Sequence, residues 1–409
     1  MKYKLFLLIL IPFFCSLITY AQWSAVDSVN SAISNISTST GKLYVCSVTT
    51  GIYISSDSGN TFIPSNNGLP NLNTRVILAK DSLLVLGTNQ QIYKSTNYGS
   101  SWSLASNGFP SNGGSNVECI IFKGDSILVA TYGNGIFCSL DFCQTWFTLN
   151  NGFTDLYRSC LFVNGNRLFA GTMYAGSGIY VSDNNGSSWV PKNNGVPKMW
   201  ANPSKYVDIT AFTEIDQAIF ATTSGGNILK SVDNGESWNM LNNPNNYQWT
   251  IFTSGWTLLA GHEGVGVSRS DDLGNSWNFE NDGLITLDDK DIRTFCILDS
   301  YIYTGGWSHK IFRRPVSEIV SSISENNSRI KIVVYPNPIS DQSKIIIPHS
   351  FAKKYTLEIY NNEGICIKTL SGLEVNQFEL QKSEFGNGIY FFRITGSEKG
   401  SFCGKFIVN

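Results

Sequence analysis

The stretch SSDSGNTF at residues 55–62 decides the fold, because near copies of it return five times. STNYGSSW stands at 95–102, SLDFCQTW at 139–146, SDNNGSSW at 182–189, SVDNGESW at 231–238 and SDDLGNSW at 270–277. Successive copies begin 40, 44, 43, 49 and 39 residues apart. A self-similar unit of about 40–50 residues made of short apolar runs is a four-stranded blade, and blades in series make a β-propeller.

The second unit illustrates what surrounds each box. TRVILAK (74–80), DSLLVLGT (81–88) and QIYKS (91–95) are short runs rich in apolar and β-branched residues, which are strand signals. WSLAS (102–106) supplies a brief fourth strand. The box is therefore the turn between strands three and four. Its Ser and Asp can accept hydrogen bonds from turn amides, its Gly can take a positive φ, and its Trp can wedge against the neighbouring blade. Asp57, Asp141, Asp233 and Asp272, with Asn97 and Asn184 in the two remaining copies, are thus turn formers rather than catalysts. Cys143 stands where the glycine is expected.

Six boxes imply seven blades. After Trp277 come IRTFCIL (292–298), YIYTGGW (301–307) and KIFRRP (310–315), three strand-like runs without a fourth. QWSAVDSVN (22–30) imitates SWSLASNGF (101–109), with Trp23 in the place of the box tryptophan. The N-terminal strand should complete blade seven and close the ring, leaving only short, protected sheet edges. The box resembles the Asp-box (BNR) repeat of sialidase-like propellers, over roughly residues 23–316. That resemblance implies boxes on the rim, away from a ligand-binding face.

The 409 residues carry a net charge of −2, and 15% are charged, well below the usual share of about 25%. No basic patch stands out, which argues against nucleic acid as a partner. His262, His309 and His349 are scattered, and no C-x-x-C pair occurs. No metal or cofactor is expected. Residues 1–21 read as a secretory signal peptide, with Lys2 and Lys4, an apolar run at 5–17, and Thr19 and Ala21 before the cleavage point. The run is too short to span a membrane, and no transmembrane segment is expected elsewhere. Cys46, Cys119, Cys160 and Cys296 lie in apolar strands and read as buried free thiols. Pairing of Cys138 with Cys143, or of Cys366 with Cys403, stays open.

The chain changes character after the propeller (22–316). Residues 317–333 form a polar, Ser-rich linker. VYPNP (334–338), YTLEIYNNEGICIKTL (355–370), FELQKSEFGNGIYFFRITG (378–396) and KGSFCGKFIVN (399–409) then alternate strands with Asn-Glu-Gly and Gly-Asn-Gly turns. Such a pattern makes a small β-sandwich at 334–409. These runs resemble the type A C-terminal sorting domain of cargo of the Bacteroidota type IX secretion system. The resemblance implies type IX machinery as a partner and delivery to the outer-membrane surface or the extracellular space. The sorting domain itself would be removed on export and catalyse nothing.

Propeller ligands sit at the end of the central channel. Matching the second strands LYVCS, LLVLGT, ILVAT, LFAGT, IFATT, LLAGH and IYTGG puts Ser34, Arg75, Glu118, Ser159, Thr210, Trp249 and Arg293 at one position of the first strand. Arg158 is one residue away. Loops after the second strands add Tyr132, Tyr174, His262 and Trp307, and the insertion KMWANPSKY adds Trp200. Three arginines invite a sialidase comparison, since guanidinium groups hold a sugar carboxylate well. Yet the F-R-I-P motif of that family is missing, and no Tyr-Glu nucleophile pair can be assigned. A xyloglucanase-type hydrolase places two propellers across a cleft, and this chain has one. The expected protein is an all-β, secreted binding propeller for a glycan or a surface protein. The alternative is a glycoside hydrolase or lyase of sialidase-like architecture.

Overall fold

The computed structural model describes residues 22–29, 31–110, 115–241, 247–319, 333–339, 341–346, 354–374, 377–396 and 400–408. The expected signal peptide at 1–21, and most of the expected linker, lie outside these residues. Seven four-stranded antiparallel sheets follow one another along the chain. Their innermost strands are Ile33–Ser39, Thr74–Lys80, Val117–Lys123, Arg158–Asn164, Ile209–Ile215, Gln248–Ser254 and Ile292–Leu298. Each touches the next, and the first touches the last, so the ring is closed. The chain is a seven-bladed β-propeller followed by a small β-sandwich.

Second strands such as Lys42–Ser47 and Leu83–Thr88 are buried along nearly their whole length. Neighbouring blades cover both faces, so these strands read as continuous apolar runs rather than as alternations. In blades one to six the fourth strands are only two or three residues long, for example Ile63–Pro64 and Asn239–Leu241. Blade seven takes its outer strand from the N-terminus. Ser24–Ser28 pairs antiparallel with Lys310–Pro315, Ala25 opposite Phe312 and Asp27 opposite Ile311.

Trp23 performs there what the box tryptophans perform elsewhere. Its amide donates to Asp282 O at 2.7 Å and its indole N–H to Glu280 O at 2.8 Å. Trp102 makes the same pair of bonds to Asn67 O and Ser65 O, both at 2.8 Å. The acceptors lie in and just before a second recurring turn, Asn-Asn-Gly at 66–68. Asn66 Oδ1 accepts the Ile52 amide at 2.7 Å and holds that turn onto its own blade. Trp23, Trp102, Trp146, Trp189 and Trp238 each latch their blade to the preceding one in this way, whereas Trp277 turns its indole N–H onto Gly274 O of its own box at 3.1 Å.

The box geometry follows from orphan turn amides. Ser231 Oγ accepts the Gly235 amide at 2.8 Å and donates to Asp233 Oδ1 at 2.8 Å. Asp233 in turn accepts the Ser237 amide at 2.9 Å. Asn97 and Asn184 accept equivalent amides from Ser101 and Ser188 at 3.0 and 2.9 Å. In the first box the Thr61 hydroxyl, with the Thr61 amide and Ser55, holds the Asp57 carboxyl down at about 2. Asp141 is held likewise, with Thr145 as the main donor. Ser231 is fully buried. Ser231→Ala should lower stability by about 1–3 kcal/mol, because the Gly235 amide loses its acceptor inside the protein. Chemical denaturation checks this; an unchanged midpoint would show that the serine is dispensable.

Cys138 and Cys143 do not bridge. Both are free and buried, Cys138 beside Tyr180 and Trp189, Cys143 beside Trp146 and Phe109. They point into different inter-blade cores, which is why flanking one box does not bring them together. Cys143 takes the glycine conformation at φ 63°. Cys366 is a free, exposed thiol.

The C-terminal sandwich has a three-stranded sheet, with Gln342–Ile346 at its centre, and a four-stranded sheet. The larger sheet contains Tyr355–Tyr360, Cys366–Leu373, Gly388–Gly396 and Gly400–Val408. Leu357, Ile359, Phe392, Ile394 and Phe406 form the core between the sheets.

Candidate functional site

Antiparallel order puts two kinds of loop on each face of the ring. The links entering each first strand and the loops after each second strand share one face. The boxes and the loops after each first strand share the other. The candidate site belongs to the first face, at the channel mouth.

All seven residues aligned by sequence at the channel position fall on a β-bulge. The register of the inner pair breaks at Ile33/Asn35, Thr74/Val76, Val117/Cys119, Arg158/Cys160, Ile209/Ala211, Gln248/Thr250 and Ile292/Thr294. The residue skipped each time is Ser34, Arg75, Glu118, Ser159, Thr210, Trp249 or Arg293. A bulge leaves one residue unpaired and re-aims its side chain. Here most of those side chains tie one blade to the next. Ser34 Oγ donates to Thr74 O at 3.3 Å, and Ser159 Oγ donates to Ile209 O. One terminal nitrogen of Arg75 reaches both oxygens of Glu118, at 2.6 and 2.7 Å. Thr210 instead donates within its own blade, to Thr222 at 2.9 Å.

Blades six and seven build the aromatic part of the mouth. The Arg293 guanidinium lies 4.4 Å from the Trp249 ring centre and 4.6 Å from that of Trp307. Arg293 Nε donates to Asp291 Oδ1 at 2.7 Å, so the cation is both stacked and paired. Tyr247 packs on Trp249 with ring centres 4.5 Å apart. Burial first, and the nearby Asp208 charge second, push the Tyr247 hydroxyl up, so it stays protonated and can donate a hydrogen bond. Trp307 is 48% exposed and offers an open indole.

A second aromatic group lies on the same face at blades three and four. Tyr132 makes edge contacts with Tyr157 and Tyr174, ring centres 5.3 and 5.5 Å apart. Tyr174 sits at φ 64°, which is unusual for a bulky aromatic. Its amide donates to Asp208 Oδ1 at 2.8 Å, which secures the turn. Burial pushes the Asp208 carboxyl up, against that hydrogen bond. The KMWANPSKY insertion forms a hairpin of Lys198–Met199 and Asn202–Tyr206, anchored by the Tyr206 amide on Gly176 O at 2.8 Å. Trp200 at its tip is almost fully exposed.

Two residues named from sequence do not reach the mouth. Arg158 is fully buried inside blade four. Its guanidinium lies 3.8 Å from the Phe153 ring centre and pairs with Asp155 at 3.0 Å. The bulge turns Ser159, its neighbour, toward the channel and Arg158 away from it. His262 is likewise fully buried, with Nε2 on Ser268 Oγ at 2.7 Å. Conversely, Tyr157, Tyr247 and Asp291 belong to the mouth and were not named. Each lies in a link before a first strand, where repeat alignment has no strand to follow. Among the described residues no cluster of His, Cys, Asp and Glu could hold a metal ion.

With this geometry in view, comparison with known proteins bears first on the C-terminus. Residues 333–409 match the family described as the secretion system C-terminal sorting domain. The chain is a type IX secretion cargo with a propeller. Its destination is the outer-membrane surface or the extracellular space. Among the described residues no helix is long and apolar enough to cross a membrane. No curated protein matches the chain in sequence.

Solved structures show the same fold. YCF48 from Cyanidioschyzon merolae aligns with a TM-score of 0.55 at 14% identity, over 72% of this chain and 99% of that one. The extracellular domain of the putative one component system BT4673 from B. thetaiotaomicron gives 0.58 at 11%, over 95% of this chain and 59% of that one. PorZ, a surface component of the type IX secretion system of Porphyromonas gingivalis, gives 0.53 at 13%, over 91% and 59%. The chain thus spans under two thirds of the last two.

Proposed function

We propose that this cargo is a binding propeller of the Asp-box, sialidase-like kind, holding a glycan at the channel mouth. The observation that carries this reading is the stack of Arg293 between Trp249 and half-exposed Trp307, beside the protonated Tyr247. A flat apolar face with hydroxyl donors at its edge suits a sugar ring. The neighbouring charges support binding rather than hydrolysis. Glu118 is engaged by Arg75 and Asp291 by Arg293. Each carboxylate is thereby occupied by a cation, whereas glycoside hydrolysis needs one carboxyl free to protonate the leaving group. Tyr132, Tyr174 and Trp200 extend the surface outward, so a chain longer than one sugar can be followed across it. Arg158, buried in blade four, is not part of this site.

A glycan array on the mature chain identifies the class of ligand, and Trp249→Ala tests the site. The expected result is a loss of affinity of roughly 10- to 100-fold, as for a central aromatic anchor, with the melting temperature little changed. A large fall in melting temperature with affinity intact in the folded fraction would make Trp249 core and overturn the proposal. Binding to a surface protein but to no glycan would overturn the ligand class and leave the site standing.

A further inference from the structure

The strand Gly388–Gly396 has the sequence GIYFFRITG, apolar at nearly every position. A sandwich sheet needs only one apolar face, and alternate residues point to opposite faces. Tyr390, Phe392 and Ile394 face the sandwich core. Ile389, Phe391 and Arg393 face the other way, yet Phe391 is only 2% exposed. A second apolar face on an exported module calls for a cover.

The cover is the propeller. Phe391 belongs to the same core cluster as Trp23, Leu259, Phe295 and Phe312, with Ile389 and Tyr360 packed against it. The turn after the first strand of blade six meets it directly. A Cβ on Gly255 would lie 3.0–3.2 Å from the Phe391 ring. Trp256 packs edge-on against Tyr360, ring centres 6.0 Å apart. Arg393 stands at the centre of the contact. It pairs with Glu358 of its own sheet at 2.6 Å and with Asp216 of blade five, and its guanidinium lies 4.9 Å from the Trp256 ring centre. Nearby, Lys405 Nζ donates to Ser317 O at 2.9 Å.

We propose that the loops after the first strands of blades five and six are a docking seat for this chain's own sorting domain. The domain is then presented to the export machinery in a fixed pose rather than on a free tether. Asp216, Gly255 and Trp256 lie on the box face, so the docked domain leaves the channel mouth open. This inference stands apart from any ligand at the mouth.

A double-mutant cycle on the chain with its sorting domain still attached tests it, with hydrogen exchange at the Asp216 and Gly255–Trp256 turns and at Ile389–Arg393 as the readout. Asp216→Asn keeps a residue that accepts the positive φ of 53° at this position while removing the charge. Arg393→Gln removes the cation. Each single variant should speed exchange on both sides of the seat by roughly tenfold, and the double variant should add little, as for residues acting through one contact. Exchange in the blade-two turns, far from the seat, should not change in any variant. Additive effects, or exchange alike in all four chains, would overturn the proposal. Faster exchange throughout the propeller would do so too, since it would make the pair a determinant of folding rather than of docking.

Discussion

Gly283→Val should lower the stability of the mature chain by roughly 3–5 kcal/mol, the range of a severe backbone clash in a core. Gly283 follows Asn281 and Asp282 in the turn that receives the closing strand, and its φ is 91°. A Cβ there would lie 1.9 Å from Trp23 O, closer than any contact can be. The substitution therefore acts twice. It strains a backbone conformation that β-branched residues avoid, and it pushes away the strand that supplies the fourth edge of blade seven. The Trp23 amide and indole then lose Asp282 O and Glu280 O. Gly124→Val separates the two effects, because Gly124 has φ 61° and nothing within 4 Å of a Cβ. It should cost about 1–2 kcal/mol, the strain alone. Chemical denaturation compares the two, and equal losses would mean that the close approach at the seam contributes nothing.

Ending the chain at Ile319 should abolish delivery to the cell surface and leave a folded propeller in the periplasm. The sorting domain occupies 333–409, whereas all the strand pairings of blade seven end by residue 315. The ring is therefore complete without the module. Truncation also uncovers the seat around Trp256, so the melting temperature should fall by several degrees without loss of cooperativity. Cell fractionation with an antibody to the propeller reads the location, and near-ultraviolet circular dichroism of the retained protein reads the fold. Surface protein at the full-length level would place the export signal outside the sorting domain. An unfolded periplasmic product would show that the propeller depends on it.

Much of the architecture can be read from one chain because a propeller repeats local rules. The spacing of SSDSGNTF and its copies fixes the blades. The missing fourth strand after KIFRRP, with its counterpart around Trp23, fixes the closure. Even the ring of channel residues was reachable, since each sits at the same step before its second strand. Alternation of apolar residues in the C-terminal runs marks a sandwich, and the resemblance of those runs marks its address.

Other features depend on contacts between residues far apart in sequence. That Arg158, one residue from the channel position, is buried against Phe153 instead of reaching the mouth turns on packing, which a run of letters does not reveal. Tyr157 and Tyr247 reach the mouth through links that have no periodicity. The Asn-Asn-Gly turns matter because the next blade's tryptophan backbone presses on the glycine, as at Gly68, where a Cβ would meet Trp102 O at 2.1 Å. Asp216 and Arg393 are 177 residues apart and meet only because the sandwich folds back onto the box face. Short-range pattern governs which strands form, since pleat and period act between neighbours in the chain. Tertiary packing decides which charges neutralise one another and which faces stay open, since those depend on elements the pattern does not order in space.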